Sequence, residues 1–339
     1  MPVARVRSEP KHWNAAYAEL KTPKEQEAFL RDLVANHLTD AAVLLDFLEK
    51  LPVSRLRNGA IVETLQILAQ NRPLSAIERI PRLLTGPDAH NAYVAAAEIW
   101  GRTDPKAALG WITLQPRSDF SAVMLEQIVS SGASDNARDV RDILTSTTFQ
   151  TPQDRELAFR ALAGVWAQSE PVEAIAWARQ VATNTGSSEA LSIGYLNWST
   201  IDPAAASSSV LKEDGNFVAR VLPEIAGIFA SNSPEAAAKW TATLPATASK
   251  TAAVTAVAQT WAELNPGAAM SWAVTQPAET RSAAMLGTAL KWSRMDVDGY
   301  KAFTETLSPQ MQTELNTLLA NASQPRREPL RNRPLLQRP

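Results

Sequence analysis

The chain has 339 residues, of which 45% are hydrophobic, enough to build one long helical array or two to three compact domains. It contains no cysteine, which excludes disulfides, thiolate metal ligands and a cysteine nucleophile. The formal net charge of −2 provides no overall basic field that would attract nucleic acid or anionic lipid. No apolar run approaches the roughly 18 residues that span a bilayer.

The first segment, residues 1–22, is predicted to be an N-terminal stretch with a capping helix. Residues 1–9 lack periodicity and are expected to fray, whereas Trp13 and Tyr17 lie four residues apart on one face of a helix. This segment is polar and shows no signal peptide, so we expect a cytoplasmic protein. A periplasmic location is the alternative if a signal peptide was removed, because periplasmic proteins need no disulfides.

From there the chain repeats a pattern every 31 to 34 residues. Around Pro266, Trp261 lies five residues before, and Ala269 and Trp272 lie three and six residues after. The positions equivalent to Pro266 are, in chain order, Ala41, Pro73, Pro105, Ala137, Pro171, Pro203, Pro234, Pro266 and Val297. Nine positions at so regular a spacing predict a repeat architecture.

Each repeat is predicted to contain two helices, the second of which begins at these positions and runs about eleven residues. The preceding residue is Asp, Asn or Ser in seven of nine repeats, and these side chains cap helix N-termini. Arg72 and Glu170 are the exceptions. Proline begins the helix in six of nine repeats, where its missing N–H costs nothing.

In the first helix of each repeat, large apolar residues fall on one face, as Val254, Ala258 and Trp261 do. The second helix carries a small residue followed by a large one, as in Ala269 and Trp272. Stacking platforms for bases or sugars are one interpretation of the recurring tryptophans. Their periodic placement favours core packing, while Trp13 lies outside the series. The predicted fold is all-α, an α-solenoid of about nine two-helix repeats over 23–307 with a period near 32 residues, closed by a capping helix over 308–323.

The second helix resembles that of a tetratricopeptide unit, on Ala174 and Trp177 and again on Ala237, Trp240 and Pro245. The repeat as a whole is similar to those of tetratricopeptide-like and HEAT-like proteins. The first helix lacks the Gly and Tyr pattern of the tetratricopeptide family, and the period is two residues shorter. We therefore treat it as a divergent short helical repeat of bacterial type. The resemblance implies protein or peptide binding on the solenoid surface and carries over no catalytic residue.

The sequence offers no pattern for catalysis, a cofactor or a metal. Its three histidines, His12, His37 and His90, have no metal-ligand spacing. No glycine-rich phosphate loop and no Gly-x-Ser-x-Gly elbow is present. We therefore predict a protein that is not an enzyme and needs no cofactor.

Two charged segments are candidate partner-binding sites. Residues 135–142 carry Arg138 and Arg141, in a repeat with Gly132 and Ile143 where others carry aromatics. A solvated helix face with local ion pairs is one interpretation of this segment, and a face specialised for a partner, with a bend or break in the array, is the other. The C-terminal run 324–339 has four prolines and five arginines against one glutamate and is predicted to be a disordered basic tail. A solubilising end is one interpretation of this tail, and a tether for an acidic partner, RNA or lipid is the other. The candidate residues for a tether are Arg326, Arg327, Arg331 and Arg333.

The leading functional hypothesis is a non-enzymatic scaffold that binds a protein or peptide partner in a solenoid groove. One alternative is a structural or assembly subunit whose repeats stack between chains. A solenoid nucleic-acid enzyme of the HEAT-like glycosylase type is a further alternative. Such an enzyme would need a basic groove, and the net negative charge of the chain without its basic tail does not favour one. The tail is the one segment expected to contact nucleic acid or another polyanion, and the oligomeric state stays open.

Overall fold

The computed structural model of the protein describes residues 10–36 and 40–322. These residues form 19 α-helices and one short 3-10 helix, Pro10–His12, and no strand. The α-helices are α1 (Trp13–Ala18), α2 (Pro23–Asn36), α3 (Ala41–Leu48), α4 (Arg55–Asn71), α5 (Pro73–Leu83), α6 (Gly86–Thr103), α7 (Pro105–Ile112), α8 (Asp119–Ser146), α9 (Pro152–Ser169), α10 (Pro171–Thr185), α11 (Glu189–Ile201), α12 (Pro203–Val210), α13 (Gly215–Asn232), α14 (Pro234–Thr243), α15 (Ala248–Leu264), α16 (Pro266–Val274), α17 (Ala278–Met295), α18 (Val297–Thr306) and α19 (Pro309–Ala322).

The chain forms two compact units, residues 1–197 and 198–339, and the division falls within α11. In the first unit the long helices α2, α4, α6, α8 and α9 each pack against the next, and the short helices α5 and α7 each contact the two long helices that flank them. In the second unit α13, α15, α17 and α19 pack in the same order, with α14 and α16 contacting their flanking helices. The prediction of an all-helical fold is therefore confirmed.

Most of the predicted helix caps form. The side chains of five residues each accept a hydrogen bond from the backbone N–H three residues later: Asp104, Asn136, Asp202, Asn265 and Asp296. The capping prediction is wrong for Asp40 and Ser233, whose side chains make no such bond. At Asp40 the backbone (φ −110°, ψ 31°) departs from the extended geometry of a capping residue. Ser233 has the capping backbone geometry, but its hydroxyl accepts no backbone N–H.

The charged segment around Asn136 contains the same kind of turn between two helices as other helix pairs of the chain. Helix α8 is interrupted at Asn136 (φ −152°, ψ 89°), which matches Asn265 (φ −152°, ψ 88°) at another helix start. A second helix therefore begins at Ala137, as the sequence predicts. The interruption is a turn that other helix pairs also make, and the predicted bend or break in the array stays a prediction.

One second helix is longer than predicted. Helix α10 runs 15 residues to Thr185, where Gly186 adopts a left-handed conformation (φ 75°) that glycine tolerates best. Helix α5, in contrast, ends at Leu83 after 11 residues, as expected.

The aromatic rings of the first helices are core residues, as predicted. Trp166 is 1% exposed, and Trp100, Trp261 and Trp292 are also buried. The rings of the second helices differ, because they are only partly buried: Trp111, Trp177, Trp240 and Trp272. These rings lie beside a first-helix ring, for instance Trp166 and Trp177 with 6.0 Å between centroids. A short helix packs on long helices from one side, so its tryptophan keeps one edge at the surface.

Candidate functional site

A groove of about 730 Å³ opens in the first unit, between the last turns of α8 and the facing surfaces of α9 and α10. A smaller cavity of about 130 Å³ adjoins it and shares four lining residues with it, Arg155, Phe159, Val181 and Thr185. We call the two together the α9–α10 groove. It is an elongated surface that mixes aromatic, charged and amide side chains.

Three aromatic rings line the groove. Trp166 is buried, and its indole Nε1 donates a hydrogen bond to Glu170 Oε2 at 2.8 Å. Trp177 packs against it, and Phe159 meets Trp177 edge to face with 5.6 Å between centroids. Because Trp177 and Phe159 are only partly buried, they present apolar surface to the groove. The indole N–H of Trp177 has no acceptor among the residues that the structure describes.

The two arginines predicted from the sequence lie at this site and are both engaged. Arg141 lines the groove, with its guanidinium carbon 5.8 Å from the Trp166 ring centroid and an ion pair to Asp142 at 2.7 Å. Arg138 contacts Glu173, a groove residue, at 2.7 Å and Glu170 at 2.8 Å. Its hydrogen bond to Glu173, followed by the charges of Glu170 and Glu173, raises the pKa of Arg138. The ion pairs of residues 135–142 are therefore not all local, because Arg138 pairs with Glu170 and Glu173 at the start of α10.

The groove also carries polar groups that nothing else in the described chain uses. The exposed side chain of Arg155 lines both parts of the groove and has no hydrogen-bond or ion-pair partner in residues 10–36 and 40–322. The side-chain amides of Gln180 and Asn184 are likewise without partners in those ranges. They lie four residues apart on α10, one turn beyond Trp177, so the three share one face.

Sequence reasoning missed Arg155, Gln180 and Asn184. The sequence holds a signal for Arg155, because it stands 16 residues before the start of the next helix, as Arg57 and Arg281 also do. For the two amides there is no comparable signal, since surface Gln and Asn are common on solvated helices. The predicted tail residues Arg326, Arg327, Arg331 and Arg333, as well as His37 and residues 1–9, lie outside the described residues.

Within residues 10–36 and 40–322, no three His, Cys, Asp or Glu side chains are grouped so that they could hold a metal ion. None of the helices described is both long enough and apolar enough to cross a membrane. No protein-family model matches the chain, and no curated protein matches it.

Proposed function

We propose that the chain is an α-solenoid of about nine two-helix repeats that binds a protein or peptide partner and catalyses no reaction on it. The regular spacing of the helix starts supports the repeat organisation, as does the packing of each long helix on the next within both units. Under this proposal the likeness to tetratricopeptide-like and HEAT-like repeats extends to their use as binding surfaces.

The α9–α10 groove is the observation that carries the binding role. Partly buried aromatic rings contribute most to protein interfaces, because they offer large apolar area at a small cost in side-chain entropy. Trp177 and Phe159 provide such area, while Gln180 and Asn184 can hydrogen-bond to a peptide backbone laid along α10. A peptide offers both kinds of group together, whereas a purely apolar ligand would leave the two amides unpaired.

The charges of the groove favour binding over catalysis. Asp142 pairs with Arg141, Glu173 pairs with Arg138, and Glu156 accepts a hydrogen bond from Ser187 Oγ, so each groove carboxylate already has a partner. General acid–base catalysis needs a group in hydrogen-bond reach of its substrate and a partner that orients it. The paired carboxylates instead stabilise the groove walls.

The test is selection of a random peptide library displayed on phage against the purified full-length protein. Selected peptides are expected to bind at least roughly tenfold more weakly to Trp177→Ala, because a tryptophan contact in an interface is worth that much or more. Trp272→Ala is the matched control, since Trp272 is also partly buried and packs on a first-helix ring, Trp261, at 5.7 Å. If the library yields no binders, or if both variants bind the selected peptides like the parent, the groove is not a peptide site.

A further inference from the structure

Three arginines occupy the same position relative to the helix that follows. Arg57, Arg155 and Arg281 each lie 16 residues before the first residue of the next helix, at Pro73, Pro171 and Val297 respectively. The three arginines differ in their hydrogen-bond partners, and Arg155, the one in the groove, has none in the described residues.

Two of these arginines donate to main-chain carbonyls, Arg57 at the ends of two helices and Arg281 in the loop that follows α16. Arg57 is 5% exposed, and its guanidinium donates to Leu48 O at 2.9 Å and to Leu83 O at 3.2 Å. Arg281 Nε donates to Gln276 O at 3.0 Å. Carbonyls in the last turn of a helix lack intrahelical donors, and the helix dipole favours a cation there.

Arg155 finds no such acceptor because its neighbouring helices end differently. Leu83, which accepts from Arg57, is the last residue of α5 and lies ten residues after Pro73. The residue ten after Pro171 is Val181, but α10 continues to Thr185, whose hydroxyl donates to Val181 O at 2.9 Å. At the end of α8, the counterpart of Leu48 is Leu144, whose carbonyl accepts from Thr147 N–H at 3.3 Å.

Arg155 is therefore the one groove guanidinium that has no carboxylate partner among the described residues. Arg141 pairs with Asp142 and Glu173 with Arg138, while the third groove carboxylate, Glu156, accepts a hydrogen bond from Ser187 Oγ at 3.3 Å. A guanidinium with no partner, beside exposed aromatic surface, is complementary to an anionic group next to an apolar one. The basic tail of this chain, with five arginines, is a poor match for it.

We infer that the α9–α10 groove binds an internal peptide segment in which the carboxylate of an Asp or Glu side chain pairs with Arg155 while a neighbouring aromatic or aliphatic side chain packs on Trp177. This inference rests on the proposed peptide-binding function and adds the chemistry of the partner. It assigns the carboxylate to a side chain and not to a chain terminus, because a terminal carboxylate is held by clustered backbone N–H groups. The groove wall is instead built from helix surfaces, whose interior N–H groups are hydrogen-bonded within the helix.

The experiment uses the peptides selected on the full-length protein, synthesised with an amidated C-terminus. Binding is measured by fluorescence anisotropy to the parent, to Arg155→Glu and to Arg160→Glu. Arg160 is the matched control because it lies on the same helix, is exposed and does not line the groove. Far-UV circular dichroism checks that the three proteins are equally helical.

The selected peptides are expected to share an acidic residue next to an apolar one. Arg155→Glu should weaken their binding roughly tenfold or more, the effect of losing one charged hydrogen bond, while Arg160→Glu leaves it near the parental value. Replacing the peptide's acidic residue by Lys should weaken binding to the parent and restore binding to Arg155→Glu.

Three results would overturn the inference. Peptides that depend on Trp177 but carry no shared acidic residue would leave the peptide-binding function intact and remove Arg155 from it. Equal loss in Arg155→Glu and Arg160→Glu would show a general charge effect. Binding that requires a free C-terminal carboxylate would assign the anion to a chain terminus. Failure of Trp177→Ala to weaken any peptide would instead contradict the proposed function itself.

Discussion

The helix pairs α4–α5 and α9–α10 place an arginine at the same distance before the second helix and use it in opposite ways. In the first pair Arg57 is buried and joins the ends of α3 and α5. In the second pair Arg155 faces solvent in a groove, because α10 continues past the point at which α5 stops. The two pairs differ by four residues at the end of the second helix, and under the proposal above this difference leaves Arg155 available to a partner.

The groove can be tested first through its two tryptophans. Trp166→Ala should lower the free energy of unfolding by about 3–5 kcal/mol, because the ring is fully buried and its loss leaves a cavity. Trp177→Ala should cost only about 1–2 kcal/mol, since that ring keeps surface exposure and loses less burial. Urea denaturation followed by circular dichroism measures both. Equal costs would mean that Trp177 is a core residue and that the groove is shallower than the structure shows.

Substitution of Arg57 and of Arg155 should change the free energy of unfolding by different amounts, and by less than the loss of Trp166 does. Arg57→Met should destabilise the protein by about 2–3 kcal/mol, because the buried carbonyl of Leu83 loses its donor and the charged hydrogen bond to Leu48 O is also lost, although Leu48 O keeps the bond from Leu51 N–H. Arg155→Met should change stability by no more than about 0.5 kcal/mol, as is usual for an exposed side chain without partners. The same urea titration applies, and Arg57→Lys should fall between them because one ammonium cannot span both acceptors as a guanidinium does. A large loss in Arg155→Met would contradict the assignment of Arg155 to binding.

Two buried threonines at matching positions should show the smallest change in stability when they are replaced. Thr64 and Thr288 are both buried and lie nine residues before Pro73 and Val297. Thr64 Oγ1 donates to Ala60 O at 2.6 Å, whereas Thr288 Oγ1 has no hydrogen-bond partner in the part of the chain that the structure describes. Thr288→Val should therefore stabilise the protein by about 1 kcal/mol, and Thr64→Val should destabilise it by about 0.5–1 kcal/mol.

Thermal melting of these two variants and the parent shows whether each substitution stabilises or destabilises the protein. Shifts in the same direction would mean that the hydroxyl of Thr288 is satisfied in solution, for example by a bound water molecule.

Helix starts were predictable because their signals are local. An Asp or Asn followed by proline fixes a cap and a first turn within four residues, so α7, α12 and α16 begin where the sequence predicts. The cap at Asp40 was not, since its backbone (φ −110°, ψ 31°) departs from the extended geometry that a capping residue adopts. The role of Arg155 was not predictable either. It depends on the end of α10 at Gly186, and the regular period suggested an end four residues earlier.

The order of packing has a consequence for how the chain folds. Within each of the two units, the long helices described above contact the next one along the chain, so these contacts join segments that are close in sequence. Closing such short loops costs little chain entropy, and proteins rich in local contacts reach their native packing quickly. Helices of the first unit can therefore pack in succession while the rest of the chain is still being synthesised, and the α9–α10 groove needs no residue beyond Ala190 to form its walls.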